Sequence, residues 1–507
     1  MKRLSLFLFF FFSFLYPRVI RVPGDSLTIQ SGLNGALSGD TVLVAPGIYY
    51  ENILWPNRDG VVLLSEGGPE VTIINGNDTA RVITMNAMVY TPATVIRGFT
   101  ITNGRVSGLY GYGGGIFCRG SPTFFENRIV GNTITALGYG GGVYADGSPT
   151  FAYNLIAQNK IERPGGGGWR YGGGIYCTGS GVFYQNYFLE NVIADTAGGG
   201  FWYGGALCLI GGMPVVFSNL FVRNRAGATT GGFAYGGALY IDSANALVFN
   251  NTFFANMCST AIPYGGAIYV KSSKSSVIKN NIIVGNIATG IVPYGGGIAC
   301  QPDTLDTLIF DYNDVWGNLP NNYYACRPGP HAFSLDPLFV SGPAGEYYLS
   351  QIAAGQPEES PCVDAGDTLL MTFPLNLDSL IHRWTTRSDT VYDTDRIDLG
   401  YHYLPTPFLS IKEKNSLATV GERFLIFPNP TSQTISIFYS LSRESEVKFS
   451  IYDGNGRLVR ELIGKRGKAG TYRLFWDGKD SFGRRTASGI YFLSFNGSRV
   501  KKLLKLK

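Results

Sequence analysis

Charge is scarce in this chain. Charged side chains make up 15% of its 507 residues, and histidine occurs only at His331, His382 and His402. Between Gly104 and Cys300 the only acids are Glu126, Asp146, Glu162, Glu190, Asp195 and Asp242. General acid–base chemistry therefore lacks its usual residues over that stretch. A glycoside hydrolase needs two carboxylates about 5 to 9.5 Å apart, and no two of these acids match in position on neighbouring repeats. The formal net charge of +5 comes without a basic helix or an aromatic–basic motif, which argues against a nucleic-acid partner. No Cys-x-x-Cys motif occurs, so a zinc site is not expected.

Glycine and hydrophobic residues are plentiful instead, at 68 residues and 45%, which excludes a disordered chain. The glycines fall in a repeated phrase: Tyr112-Gly113-Gly114, then the same at Tyr139, Tyr171, Tyr203, Tyr235, Tyr264 and Tyr294. Steps of about 27 to 32 residues indicate stacked repeats rather than one globular core. A second phrase, Asn, four residues, Asn, travels with it: Asn127/Asn132, Asn154/Asn159, Asn186/Asn191, Asn219/Asn224, Asn251/Asn256, Asn281/Asn286 and Asn313/Asn318. The stretch from tyrosine to asparagine is nearly constant. The return from the second asparagine to the next tyrosine varies and carries glycine-rich inserts, which reads as loops on one face.

After each Tyr-Gly-Gly the residues alternate. Ile116, Val143, Ile175, Leu207, Leu239, Ile268 and Ile298 form one column, and Cys118, Ala145, Cys177, Leu209, Ile241, Val270 and Cys300 another. Period-two alternation marks a strand with both columns inside. Phe124 and Ile129, with their equivalents, mark two further strands per repeat. Coils stacked about 4.8 Å apart would pair each strand with its copies. Asparagine columns suit such a stack, because an amide both donates and accepts along it. The first glycine of each phrase suits a corner with positive φ. Arg119/Asp146, Lys271/Asp242 and Arg223/Glu190 should meet as surface ion pairs that set alignment.

Between the two inward columns lies an outward one: Phe117, Tyr144, Tyr176, Tyr240 and Tyr269. The returning segments add Tyr110, Trp169, Phe201, Trp202 and Phe233. Either these rings contact a sugar polymer, with Tyr144, Tyr176, Tyr240, Tyr269, Trp169 and Trp202 as the contacts, or the loop aromatics fold over the column and bury it. No catalytic residue is assigned along the coils. Beyond them, His331 with Asp336 is the place where catalysis would sit. Of seven cysteines, Cys118, Cys177 and Cys300 read as small core residues, and Cys326 with Cys362 as the disulfide pair.

The repeat pattern resembles the right-handed parallel β-helix (pectin-lyase-like) proteins of bacterial surfaces, over roughly residues 22–405. The resemblance implies an all-β fold. Polysaccharide lyases and hydrolases share that fold, so a carbohydrate-active enzyme is the alternative to an adhesive, scaffold or glycan-binding protein. Met1-Lys2-Arg3 followed by the apolar run Leu4–Leu15 reads as a signal peptide over 1–16, with a retained anchor as the other reading. Residues 17–320 form the β-helix, with a capping helix near 28–37, and residues 321–405 its closing coils and cap. There Asp364, Asp367, Asp395 and Asp398 are either Ca²⁺ ligands or turn and helix-cap residues. No other cofactor is expected.

Residues 406–422 form a linker. Within 423–507, short strands divided by turns indicate a β-sandwich. Its phrases Phe427-Pro428-Asn429-Pro430, Phe475-Trp476-Asp477-Gly478, Ala487-Ser488-Gly489-Ile490-Tyr491-Phe492 and Lys501-Lys502-Leu503-Leu504-Lys505 resemble the type A C-terminal sorting domain of type IX secretion substrates, which is similar to the immunoglobulin-like domain of the flagellar hook-assembly protein. Thr431 stands where that family often has Phe. The resemblance implies that Pro428, Asn429, Pro430, Lys501, Lys502 and Lys505 belong to a sorting signal read by outer-membrane secretion machinery. The product would be a secreted or outer-surface protein of a Gram-negative-type bacterium. A monomer is expected, with a polysaccharide or surface glycan as its further partner.

Overall fold

A computed structural model describes residues 17–405 and 423–505, except 164, 166, 196–198, 229–230, 274, 302–307, 368–379, 395, 428–434, 442–444, 455, 468–469 and 497–498. The signal-peptide segment, the linker, Asp395 and the Pro428-Asn429-Pro430 phrase lie outside the described residues. Internal contacts divide the chain into Met1–Ser334 and Leu335–Lys507.

The first unit is a parallel β-solenoid of about eight turns. One coil shows how sequence makes it. Ile116–Arg119, Thr123–Phe125 and Arg128–Val130 are strands of three separate sheets, each paired in parallel with its counterpart one coil on. Ile116 sits beside Val143, Phe124 beside Phe151 and Ile129 beside Ile156. These columns fill one continuous core. Inside it Phe124 and Phe151 stack with centroids 4.6 Å apart, as do Phe188 and Phe221.

Both asparagine columns are buried ladders. Asn191 is typical. Its Oδ1 accepts from the Asn159 amide at 3.2 Å and from Asn159 Nδ2 at 3.0 Å. Its Nδ2 donates to Ile156 O at 2.7 Å and to Asn224 Oδ1 at 3.0 Å. Every amide group is thus satisfied by the coils above and below, which removes the cost of burying it. The residue before each first asparagine takes positive φ, as at Glu126, Tyr153 and Gln185. This left-handed pivot turns the chain between two sheets.

The Tyr-Gly-Gly phrase turns the opposite corner. The first glycine has positive φ (Gly172, 67°). A Cβ on the second would strike the next coil: at Gly205 it would lie 2.1 Å from Gly237 O. The two glycines therefore answer two separate constraints, torsion and space.

The return stretches are not loops. They form a fourth parallel sheet outside the main core. Thr133–Tyr139 is one strand. Later coils split it into an outgoing limb (Lys160–Arg163, Val192–Asp195, Arg225–Ala228, Met257–Ser259) and a returning limb (Trp169–Tyr171, Phe201–Tyr203, Phe233–Tyr235, Ile262–Tyr264). The limbs enclose a thin core of Ile134, Ile161, Ile193, Trp202, Ala226, Ala234 and Cys258. Small residues at Ala226, Ala234 and Cys258 permit the close approach. The glycine-rich inserts lie between the two limbs.

The helix Ile29–Gly35 is capped by Thr28 and buries Ile29 and Leu33. It stops short of Leu37, which is 38% exposed. The ion pairs form as the register requires: Arg119–Asp146 at 3.5 Å, Lys271–Asp242 at 3.1 Å and Arg223–Glu190 at 2.9 Å. The expected disulfide is corrected. Cys326 pairs with Cys300, Cα atoms 5.6 Å apart, because Tyr323–Tyr324 pairs with the strand that ends at Cys300 and brings Cys326 one coil from it. Cys362 is buried in the second unit.

In the second unit, residues 423–505 form two antiparallel sheets, Arg423–Phe427/Ile435–Leu441/Gly470–Trp476 and Leu458–Gly467/Ser445–Asp453/Gly489–Phe495/Arg499–Lys505. Ile437, Phe449, Trp476, Leu493 and Leu503 fill their core. Arg499–Lys505 is an edge strand carrying Lys501, Lys502 and Lys505. Lys505 turns inward, with Nζ donating to Thr486 O at 2.6 Å.

Candidate functional site

The chain that leaves the returning limb turns at Tyr-Gly-Gly into the strand bearing Tyr144 and its equivalents. This places three outward columns side by side. Pairing aligns Tyr110, Leu137, Trp169, Phe201, Phe233 and Ile262 in the first. The repeat tyrosines form the second, and Phe117, Tyr144, Tyr176, Tyr240 and Tyr269 lie in the third.

The repeat tyrosines stack on each other. Centroids are 5.1 Å apart for Tyr139/Tyr171, 4.5 Å for Tyr171/Tyr203 and 5.2 Å for Tyr203/Tyr235, with planes within 9°. Their edges meet the third column: Tyr203 and Tyr240 lie 4.9 Å apart at 62°, and Tyr235 and Tyr269 4.8 Å apart at 61°. Stacking along the axis and edge-to-face packing across it are both favoured by the ring quadrupole.

This geometry sorts the expected contacts. Trp169 is 53% exposed and fits a contact role. Tyr144 and Tyr176 are half-buried under the repeat tyrosines. Tyr240 and Tyr269 are buried, at 1% and 7% exposure, and Trp202 at 0%; these three are corrected as surface contacts. Trp202 sits between outward-facing Phe201 and Tyr203, so alternation turns it into the thin core, where the Arg170 guanidinium lies 5.8 Å from its ring. Counting back from each tyrosine would have shown this: the residue one before is Gly138, Arg170, Trp202, Ala234 or Pro263, and the residue two before is the outward one. The repeat tyrosines, which the spacing does not single out as contacts, line the middle of the face.

Tyr stacking has a further consequence: ring faces are turned toward each other, so the middle column offers edges and hydroxyls. Among the described residues, no protein group bonds the hydroxyls of Tyr139, Tyr171, Tyr203, Tyr235 and Tyr264, and these residues are half-buried. Burial and the neighbouring Tyr264 push the Tyr235 phenol up to about 12, and burial raises Tyr171 and Tyr203 further. The row is therefore uncharged at neutral pH. Bordering charges are already matched, Arg119 by Asp146 and Lys271 by Asp242. Asp242 also accepts from Tyr240 at 3.0 Å. Arg81 donates to Tyr112 O and Gly113 O, 3.0 and 2.9 Å away.

Along the coils, Glu126 pairs with Arg97, Glu162 with Lys160 and Glu190 with Arg223. The carboxylate beside His331 is Asp311, with Nδ1 and Oδ2 3.0 Å apart and the imidazole stacked on Tyr312 at 4.3 Å. Asp336 accepts from the Leu338 amide at 3.0 Å.

In the second unit, Asp398 does not reach toward solvent as a cation ligand would. Its Oδ1 accepts from the Asp364 amide at 2.7 Å, and its Oδ2 from Gln351 Nε2 at 3.1 Å and from the Thr386 hydroxyl. Burial and neighbouring Asp393 push it up to about 7. Asp367 is also buried. No metal-binding group of side chains occurs among the described residues.

The FlgD Ig-like domain family matches residues 431–499. No curated protein matches the chain. Among solved structures, latent dimeric PorU from Porphyromonas gingivalis is 20% identical over 22% of this chain and 10% of its own, with a TM-score of 0.16. A PL6 family alginate lyase is 12% identical over 66% of this chain and 56% of its own, with a TM-score of 0.24. The chain thus spans about a tenth and about half of those two proteins.

Proposed function

We propose that this is a secreted or outer-surface binding protein, in which the solenoid presents an aromatic face to a glycan and the terminal immunoglobulin-like sandwich acts as a type IX export address. The observation that carries the binding reading is the outward-facing column Tyr110–Leu137–Trp169–Phe201–Phe233 beside the tyrosine row, in which Tyr110 and Trp169 are exposed and the other three half-buried. A contiguous apolar strip of this kind marks a contact surface rather than a packing accident. The sorting reading is supported by the terminal phrases, the immunoglobulin-like sandwich and the basic edge strand with Lys501 and Lys502. The case for binding without catalysis is supported by the acids along the coils, five of which are matched with arginine or lysine.

The experiment is affinity electrophoresis of the full chain in gels containing single polysaccharides, combined with an assay for new reducing or unsaturated ends. Retention should occur with at least one polymer, and Trp169→Ala with Phe233→Ala should abolish it without altering the circular dichroism spectrum. Unchanged retention in that variant contradicts the assignment. Product release would instead favour the second reading, a carbohydrate-active enzyme, for which the exposed imidazole of His331 on Asp311 is the specific observation; His331→Ala would then stop it.

A further inference from the structure

Resting on that binding reading, the geometry points to one class of ligand: an uncharged, linear polysaccharide in an extended ribbon conformation, lying along the solenoid axis with one sugar facing each coil.

Three observations lead there. The first is period. Tyr139, Tyr171, Tyr203 and Tyr235 repeat every 4.5 to 5.2 Å, and each carries a hydroxyl with no protein partner among the described residues. A row of identical groups at constant spacing is best matched by a polymer of identical units. A pyranose in an extended β-linked chain advances by a length close to this coil spacing, whereas a helically coiled glucan would leave the row.

The second is orientation. Because the phenol rings stack on one another, a sugar cannot lie flat on them. It meets the ring edges and the hydroxyl row, with exposed Trp169 and half-buried Phe201 and Phe233 as a wall beside it. A unit carrying equatorial hydroxyls on its edges and C–H groups on its faces satisfies both, the hydroxyls facing the tyrosines and the C–H groups facing the wall. Phenols both donate and accept, so they can answer sugar hydroxyls in either sense.

The third is charge. Arg119 and Lys271, which border the face, are matched by Asp146 and Asp242, and the phenols stay neutral. Apart from Arg81 at the Tyr112 end, which donates to the Tyr112 and Gly113 carbonyls rather than to a carboxylate, these bordering cations are neutralised, so an acidic polymer would find little along the row to offset the desolvation of its carboxylates.

The test is titration calorimetry of the full chain with xylan-, mannan- and cellulose-derived oligosaccharides of increasing length, and with oligoalginate and oligogalacturonate, each at low and high salt. Affinity for at least one neutral series should rise with length until the tyrosine row is filled, and should be indifferent to salt. Combined Tyr139→Phe, Tyr171→Phe, Tyr203→Phe and Tyr235→Phe keeps every ring and should weaken that binding by about tenfold or more, through loss of the hydroxyl bonds. Should the variant fold poorly, the wild-type length series still decides. Preference for the acidic series with a steep salt dependence overturns the inference while leaving the aromatic face as a glycan site. Affinity independent of length also overturns it, since that is recognition of a chain end. Binding that survives loss of Trp169 and Phe233 overturns the underlying reading as well.

Discussion

Tyr139 stands edge-on to Tyr176, centroids 5.2 Å apart and planes at 72°. A tyrosine of one coil thus packs its edge on a strand residue of the next, and this contact ties the flanking sheet to the main solenoid. Among the described residues, neither the Tyr176 nor the Tyr139 hydroxyl has a protein partner. Tyr176→Phe should therefore leave the melting temperature unchanged, while Tyr176→Leu should cost about 0.5–1.5 kcal/mol from the lost aromatic pairing. Thermal unfolding of both variants separates ring from hydroxyl.

The asparagine ladders should tolerate even less. Asn191→Leu keeps approximate volume but removes the acceptor of the buried Asn159 backbone N–H and the side-chain donor to Ile156 O, while Asn224 Oδ1 keeps only the residue-191 backbone N–H. Each buried polar group left unsatisfied costs about 1–3 kcal/mol, so the midpoint of urea unfolding should fall sharply. A shift like that of a surface substitution would refute the ladder's role.

Gly205→Ala adds one methyl group, which would lie 2.1 Å from Gly237 O and 2.6 Å from the Arg225 carbonyl carbon. Neither is a side chain that can swing away. Soluble yield and melting temperature should both drop. At Gly199, where nothing lies within 4 Å, the strain of an added methyl group comes only from its positive φ, so Gly199→Ala should be the milder change.

Asp398 makes stability depend on pH in a defined window. Its carboxyl is raised from the ordinary 3.8 to about 7 by burial and by Asp393. The folded state therefore holds a proton that the unfolded chain releases, and stability is lost as pH rises from about 4 to about 7. Asp393 is lowered: burial, the largest single influence, is outweighed by the His402 hydrogen bond and charge, the Asp398 amide and His382 acting together, so its contribution is lost instead as pH falls below about 4. Asp398→Asn should flatten the upper window, checked by denaturant midpoints at pH 5 and pH 8.

Much of the solenoid was legible because its residues obey short periods. The columns through Ile116, Phe124 and Ile129, the asparagine ladders and the glycine corners all follow from spacing, and the ion pairs follow from the register. The left-handed pivots were not legible: Glu126, Tyr153 and Gln185 have nothing in common chemically, since the pivot is imposed by the asparagine that follows. From spacing alone the flanking sheet looks like loops, because glycine inserts mask its alternation, and the same masking makes Trp202 look outward-facing. Cys326 could not be matched to Cys300 while the last coil had no recognisable phrase. At the site, sequence found the aromatic face but not its packing, because ring stacking is a property of neighbouring coils rather than of any one repeat.

The most direct test of the account is hydroxyl-radical footprinting of the full chain with and without a retained polysaccharide. Oxidation of Trp169, Tyr171, Phe201 and Tyr203 should fall together when the polymer is bound, with exposed Phe482 of the terminal sandwich unchanged as a control. Equal oxidation of those four residues in both samples, with protection appearing elsewhere, would contradict the assignment of the aromatic face.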